Sequence, residues 1–331
     1  MRVRYFPVMA LSALLALGGC RSMDVSLSDY RQEVPLDAAP RLPTEADLER
    51  LDRARVVLFE AEDGDLEKAR RAQAATTLTL AIEELLGANG VEVVDRGIAA
   101  DLGRELQLAE VKGVAGYDGP ALANYAVKPT ITQAEYATEY VPPTKFYDKR
   151  GKAYYIPESF RHRAGVNISL RVYEIPSLRP VKTLNGQGRN TLSSGDRGSR
   201  DMGVSMIRAA TKAALGDVRA ELLNLFAPRG YVIGKRMKGN DSILRISIGS
   251  AQGLVPGNRV VIFTEQENVN PITRKTSYDR IPVVSGTVSG IVTANEAWIV
   301  PEDEAKAKRV RLGDQIEVVH KDSSRGTLFL P

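Results

Sequence analysis

Val166-Asn167-Ile168-Ser169-Leu170-Arg171-Val172-Tyr173 alternates apolar and polar residues without a break. Successive side chains of a strand point to opposite faces, so Val166, Ile168, Leu170 and Val172 share a buried face and the residues between them a solvated one. Pro176-Ser177 turns the chain, and Lys182 to Leu192 returns as an antiparallel neighbour. Upstream, Val56-Val57-Leu58-Phe59 is a short, wholly apolar run of the kind buried in a sheet covered by helices. Asp63-Gly64-Asp65 forms a turn in which Asp65 caps a helix running to about Leu86, with Ala75, Leu78, Ile82 and Leu85 at helical spacing. Val91, Val93 and Val94 read as a second strand, and Ile98, Leu102 and Leu106 as the stripe of a second helix. Downstream, Met206, Ala210, Ala213, Asp217 and Leu225 lie on or near one side of a long helix that Pro228 stops. The predicted order is β-α-β-α-β-β-β-α, an α/β layer domain over residues 52–228.

From residue 229 to 320 the pattern changes to short strands between turns, a small all-β domain, barrel or sandwich, with an SH3-like barrel the expected form, so that the whole chain is α+β. Pro256-Gly257 suits a type II turn, and Gly313-Asp314-Gln315-Ile316 uses the same turn chemistry as Gly257-Asn258-Arg259-Val260. Glu265 to Arg280 reads as a polar loop, a contact candidate by position. Gly286 and Gly290 mark close packing or bulging in a curved strand. Residues 321–331 form a C-terminal tail.

The first residues carry a different signal. Arg2 and Arg4 precede an apolar stretch from Phe6 to Leu17, too short to span a bilayer, and Leu17-Gly18-Gly19-Cys20 is a small-residue cleavage site. These four residues resemble the bacterial lipobox, which implies a signal peptide over 1–19, cleavage before Cys20 and acyl chains on its sulfur. Cys20 is the only cysteine, so no disulfide forms within the chain. Several acyl chains make attachment effectively permanent, since each buried methylene contributes about 0.8 kcal/mol. Arg21, where an aspartate favours the inner membrane in similar lipoproteins, points to the outer membrane. Residues 20–51 hold Pro35, Pro40 and Pro43 without periodicity and read as a flexible tether, spanning on the order of 25–30 Å.

A formal charge of +4 from 45 basic and 41 acidic residues, without a cationic block, argues against a nucleic-acid partner. Catalytic and metal motifs are absent. His162 and His320 are the only histidines and neither has a ligand at metal spacing, so no metal site is expected. His162, between Arg161 and Arg163, reads as a solvated edge residue. Gly230 to Lys235 lacks the spacing of a phosphate loop, and Ser289 sits one place late for a nucleophile elbow. Glu62, Asp63, Asp65 and Glu67 do not follow a calcium-loop order. The chain is therefore expected to be no enzyme and to need no cofactor beyond the covalent lipid on Cys20.

The remaining surface candidate is aromatic. Of 12 tyrosines and 7 phenylalanines, Tyr136, Tyr140, Phe146, Tyr147, Tyr154, Tyr155 and Phe160 crowd one short segment that Pro142, Pro143 and Pro157 interrupt. Asp148-Lys149-Arg150-Gly151-Lys152 forms a charged tip between the two arms. Such a hairpin either covers a sheet edge or serves as a partner-contact arm, because tyrosines give large rigid contact area with a polar end.

The passage Ala81-Ile82-Glu83-Glu84-Leu85-Leu86 to Val91-Glu92-Val93-Val94-Asp95-Arg96, with the strand Asn167 to Tyr173 and its return, resembles the curli-secretion lipoprotein family CsgG and its relatives with the TolB N-terminal unit. Ile248 to Gly257 is similar to the C-terminal barrel of the flagellar T-ring protein. The resemblance implies a homo-oligomeric outer-membrane lipoprotein on the periplasmic face that scaffolds envelope or appendage proteins, curli-type or flagellar-ring-type. A secretion pore and a regulator of a cell-wall synthase are the alternatives. A pore needs two membrane hairpins per subunit, and Ser193 to Arg200 is too short and polar for the second.

Overall fold

The computed structural model describes residues 25–49, 53–94 and 123–321. The leader, Cys20, the expected second helix with Ile98, Leu102 and Leu106, and nearly all of the tail lie outside the described residues. What is described is mixed α+β and mostly β.

The segment read as a tether is docked over its described part. β1 (Gln32–Glu33) pairs antiparallel with Met237 and Arg236, and Lys238 donates to Asp29 at 2.8 Å. Ala39 is buried and exchanges backbone bonds around Leu312, the Ala39 amide donating to the Leu312 carbonyl and the Leu312 amide to Asp37, both at 2.8 Å. α1 (Glu45–Glu49) follows, its first turn closed by Thr44 Oγ1 accepting from the Asp47 amide while the Asp47 carboxylate accepts from that of Thr44. Strand addition through the backbone requires no hydrophobic period, which is why a proline-bearing polar stretch gave no sign of it.

The next unit begins with β2 (Arg55–Leu58), α2 (Glu67–Arg71), α3 (Ala74–Ala88) and β3 (Glu92–Val94). It continues with β4 (Tyr125–Val141), β5 (Thr144–Tyr147), β6 (Ala153–Ile156), β7 (Ser159–Glu174), β8 (Pro180–Ser194) and α4 (Arg200–Leu225). Five strands form a mixed sheet in the order β3-β2-β4-β7-β8, parallel among β3, β2 and β4 and antiparallel beyond. Alternation assigns the faces. Val56, Val127, Ile131, Val166, Ile168, Leu170 and Val172 join one core with residues of α3 and α4, while Val57, Ala126 and Tyr173 join a smaller cluster on the other side. Leu78, Ile82, Leu86 and Leu222 are fully buried in the larger core, each contributing about 1.5–3 kcal/mol.

The helices differ from the sequence reading in three details. The helix expected from Asp65 to Leu86 is broken at Ala72-Gln73, where Gln73 takes a left-handed φ of 50°. Arg208 of α4 fills the break, its Nε donating to the Ala72 carbonyl at 2.7 Å and its guanidinium to the Gln73 side chain at 2.9 Å. Asp65 caps nothing, because it sits at φ 58° and pairs with Arg70, leaving Leu66 at the helix start. On α4 the buried stripe is Met206, Ile207, Ala210, Ala214, Val218 and Leu222, and Ala213 is exposed. Backbone contact decides this rotation: a Cβ at Gly186 would lie 2.2 Å from the Ala214 carbonyl oxygen and one at Gly188 1.9 Å from that of Ala210. Only glycine lets β8 approach α4 so closely.

β9 (Arg229–Lys238) starts directly after Pro228, followed by β10 (Asp241–Ile246), β11 (Arg259–Val269), β12 (Thr276–Val292), β13 (Ala297–Pro301), α5 (Glu304–Ala307) and β14 (Gln315–Val318). Six strands, β9-β10-β13-β12-β11-β14, close antiparallel onto β9, with β1 attached outside. Closure removes the free edges of the barrel strands. Leu244, Ile246, Val260, Ile262, Val288, Ile299, Ile316 and Val318 fill the interior in alternation. Gly257 and Gly313 both take φ 87°, the left-handed state that their shared turn chemistry demands. The Asn224 side chain of α4 donates to the His320 carbonyl at 3.0 Å and accepts from the His320 amide at 2.7 Å, joining the barrel's exit to the helix.

Candidate functional site

β4 and β7 stay paired from Tyr125↔Glu174 to Val141↔Ser159. Their inner halves lie in the core, whereas beyond Ala137 every β4 residue but Val141 is exposed. Pro142 and Pro143 then interrupt the ladder, since proline has no amide hydrogen to give. β5 and β6 resume as a separate hairpin with Phe146↔Tyr154 and Lys145↔Tyr155 opposite one another. The expected charged tip closes on Asp148, whose Oδ1 accepts from the amides of Arg150 and Lys152 at 2.9 Å.

Both faces of this hairpin carry uncovered rings. Phe146 stacks on Tyr154 with centroids 5.3 Å apart, and both stay exposed. On the other face Tyr147 and Tyr155 are 63% and 68% exposed, with Lys145 over the Tyr147 ring. Nearer the root, Tyr140 packs on Phe160 and donates to Glu158 at 2.6 Å, a bond to a carboxylate that raises its phenol above the usual range. Tyr136 stands apart from this set. It is half-buried and packs against the core and Gly203 of α4.

Tyr136 belongs instead to a buried cluster around His162. The imidazole is fully buried, which corrects the reading of a solvated edge residue. Its Nδ1 lies 3.0 Å from the Tyr136 hydroxyl and 3.1 Å from that of Thr138, and its Nε2 3.0 Å from Ser194 Oγ. Ser194 donates to the Asp196 carbonyl at 2.7 Å, so it accepts from His162 Nε2–H, leaving Nδ1 to accept from the Tyr136 hydroxyl, to which Thr138 Oγ1 donates at 3.3 Å. The ring thus ties β4, β7, β8 and the entry to α4 together at the root of the arm. The signal for its burial was present, since 162 shares the parity of Val166, Ile168 and Leu170, whereas Arg161 and Arg163 point outward to Glu139.

A second projection comes from the barrel. The expected polar loop 265–280 is a ribbon in which β11 and β12 remain paired from Glu265↔Arg280 to Val269↔Thr276. Every residue from Gln266 to Ile281 is exposed. Asn270 closes its end, its Oδ1 accepting from the amides of Ile272 and Thr273.

Between the docked segment and the barrel mouth lies a cavity of about 210 Å³ lined by Arg41, Asp47, Tyr231, Glu265 and Asp314. Burial raises the Asp314 carboxyl, offset in part by the Arg311 amide that donates to it at 2.8 Å. The acidic run that leads into α2 is occupied by cations: Asp63 and Asp65 by Arg70, Glu67 by Arg71, Glu62 by Lys128. Among the described residues no group of three or more His, Cys, Asp or Glu is placed to hold a metal ion, and no helix is long and apolar enough to cross a membrane.

No protein-family model matches the chain, and no curated protein matches it by sequence. Among solved structures it is similar to a neuraminyllactose-binding hemagglutinin homologue from Helicobacter pylori, at 10% identity over 58% of this chain and 91% of that one, with a TM-score of 0.30. Lipoprotein GNA1162 from Neisseria meningitidis matches at 12% identity over 46% of this chain and 91% of its own, TM-score 0.23. The PelC dodecamer from Paraburkholderia phytofirmans matches at 11% identity, covering 57% of this chain and 95% of that one, TM-score 0.25. At these scores the shared geometry assigns neither a fold family nor a function. None of these three is a curli-secretion or flagellar T-ring protein.

Proposed function

We propose that this protein is an outer-membrane lipoprotein, anchored through Cys20, that acts without catalysis as an assembly or scaffold component of an envelope or appendage structure. The observation that carries this reading is the aromatic hairpin. Phe146, Tyr147, Tyr154, Tyr155 and Ile156 are each at least 40% exposed on an element with no core of its own. Exposed clusters of large rings mark interaction surfaces, because tyrosine buries much area at little entropic cost. The rigid root at His162 gives that surface a fixed direction, as repeated subunit contacts in a closed ring require. The sheet with its helices is the part that resembles the CsgG and TolB N-terminal unit, and it carries the arm.

A pore of two hairpins per subunit is less well supported, because only Gly195–Ser199 links β8 to α4, with no room for the second hairpin. Imaging of native particles in mild detergent tests the proposal. Rings or regular assemblies that fall apart when Tyr147 and Tyr155 are changed to serine are expected. Monomers unaffected by those changes overturn it, conductance across a planar bilayer points to the pore, and capture of a peptidoglycan synthase points to the regulator.

A further inference from the structure

The barrel ribbon and the start of the described chain lie at one end of the barrel. β9 and β11 both run antiparallel to β14, so they share a direction, and their C-terminal ends at Lys238 and Val269 emerge together. β1 is antiparallel to β9 and pairs at its far end, Gln32 opposite Met237, with Asp29 held by Lys238. The chain therefore reaches β1 from beyond the same end of the barrel that the ribbon leaves. Only five peptide steps separate Cys20 from Val25, which span at most about 18 Å.

The ribbon's chemistry differs along its length. Its flanks carry Glu265, Glu267, Asp279 and Arg280, whereas from Val269 to Tyr278 the sequence has no acidic residue and two basic ones, Arg274 and Lys275. Ile272 at the turn is 89% exposed, and Val269 is 53% exposed. The cross-strand register places Val269 and Tyr278 on one face, below that turn. An apolar end, a tyrosine beneath it and adjacent cations form the pattern of an element that dips into a bilayer interface.

We propose that the β11–β12 ribbon is a second membrane contact, with Ile272 entering the leaflet that holds the lipid of Cys20 and Arg274 and Lys275 meeting anionic head groups. This inference rests on the anchored reading above. The barrel then faces the lipid directly, in place of standing off on a long tether, because the segment read as that tether is largely bound to the barrel wall.

An acylated Cys20 has no free thiol, so Ile272→Cys makes a lipoprotein with one reactive sulfur for an environment-sensitive fluorophore. In vesicles of phosphatidylethanolamine and phosphatidylglycerol, blue-shifted and several-fold brighter emission is expected at 272, with water-like emission from the same label at Tyr147→Cys. Arg274→Glu with Lys275→Glu should weaken the shift. Water-like emission at 272 in protein whose Cys20 is acylated by mass spectrometry overturns the membrane contact and leaves the anchor standing. Labelling of Cys20 itself overturns the anchor and this inference together. A blue shift in unlipidated Cys20→Ser protein without vesicles means that a second copy covers the ribbon's end, and also overturns it.

Discussion

The aromatic hairpin on the mixed sheet and the ribbon on the barrel are built alike, each a pair of strands continued past its own sheet. They differ in where the apolar area lies. The first carries rings along both flanks, from Tyr140 to Tyr155, and its tip is the charged Asp148 to Lys152 turn. The second is polar along its flanks, with Arg280 lying over Phe263 and paired with Glu317, and its exposed apolar end is Ile272. Flank area suits side-by-side contact with protein, and an apolar end suits end-on contact with lipid. The same backbone motif therefore presents a different surface according to the register of a few side chains.

The comparison breaks most sharply if the flanks are stripped. Replacing Phe146, Tyr147, Tyr154 and Tyr155 by serine should abolish self-association measured by sedimentation velocity, because truncating central aromatic contacts costs about 2 kcal/mol or more each. The melting temperature should move little, since these rings contribute nothing to the monomer's core. Retained assemblies would show that the flanks are bystanders.

The root is the next point of attack. His162→Ala leaves a cavity and strands the hydroxyls of Tyr136 and Thr138, at an expected cost of about 2–4 kcal/mol in denaturant unfolding. Gly188→Ala forces β8 away from the Ala210 carbonyl, at about 1–3 kcal/mol. Neither change should alter lipid contact at Ile272, so a loss there would mean that the two projections are coupled.

Acid provides a smaller test. Burial, with Arg219 nearby, lowers the His320 imidazole, so the folded state resists the proton that the unfolded chain accepts. Stability from this group is present above the ordinary imidazole range and is lost as pH falls through the folded value. His320→Asn should flatten the decline seen in thermal melts on mild acidification. The least effect on stability is expected from Ile272→Ser, within about 0.5 kcal/mol, as for a surface residue, with its loss confined to vesicle binding.

Much of the frame was legible from period and punctuation. Val166 to Val172, the return from Lys182, the helix before Pro228 and the glycine turns at 257 and 313 each follow from one local rule, and the aromatic crowding between 136 and 160 marked the arm. The reading failed where a contact distant in sequence overrode a local preference. Arg208 stabilises the break at Gln73 from α4, whereas Glu265 to Arg280 pairs as a local hairpin whose exposed faces carry no apolar period to announce it. His162 is buried by its parity with Val166 and Ile168, although its immediate neighbours Arg161 and Arg163 are charged.

By itself the sequence determined the alternation of Val166 to Val172, the stop of α4 before Pro228 and the glycine turns at 257 and 313, since each depends on residues within a turn or two of one another. Tertiary structure alone decided that the barrel closes, that Asp29, β1 and Ala39 are held to it, and that the ribbon's end and Asp29 lie on one side. Those outcomes depend on backbone hydrogen bonds between segments up to about 270 residues apart, as between Ala39 and Leu312, which every residue but proline can form and which therefore leave no mark on composition.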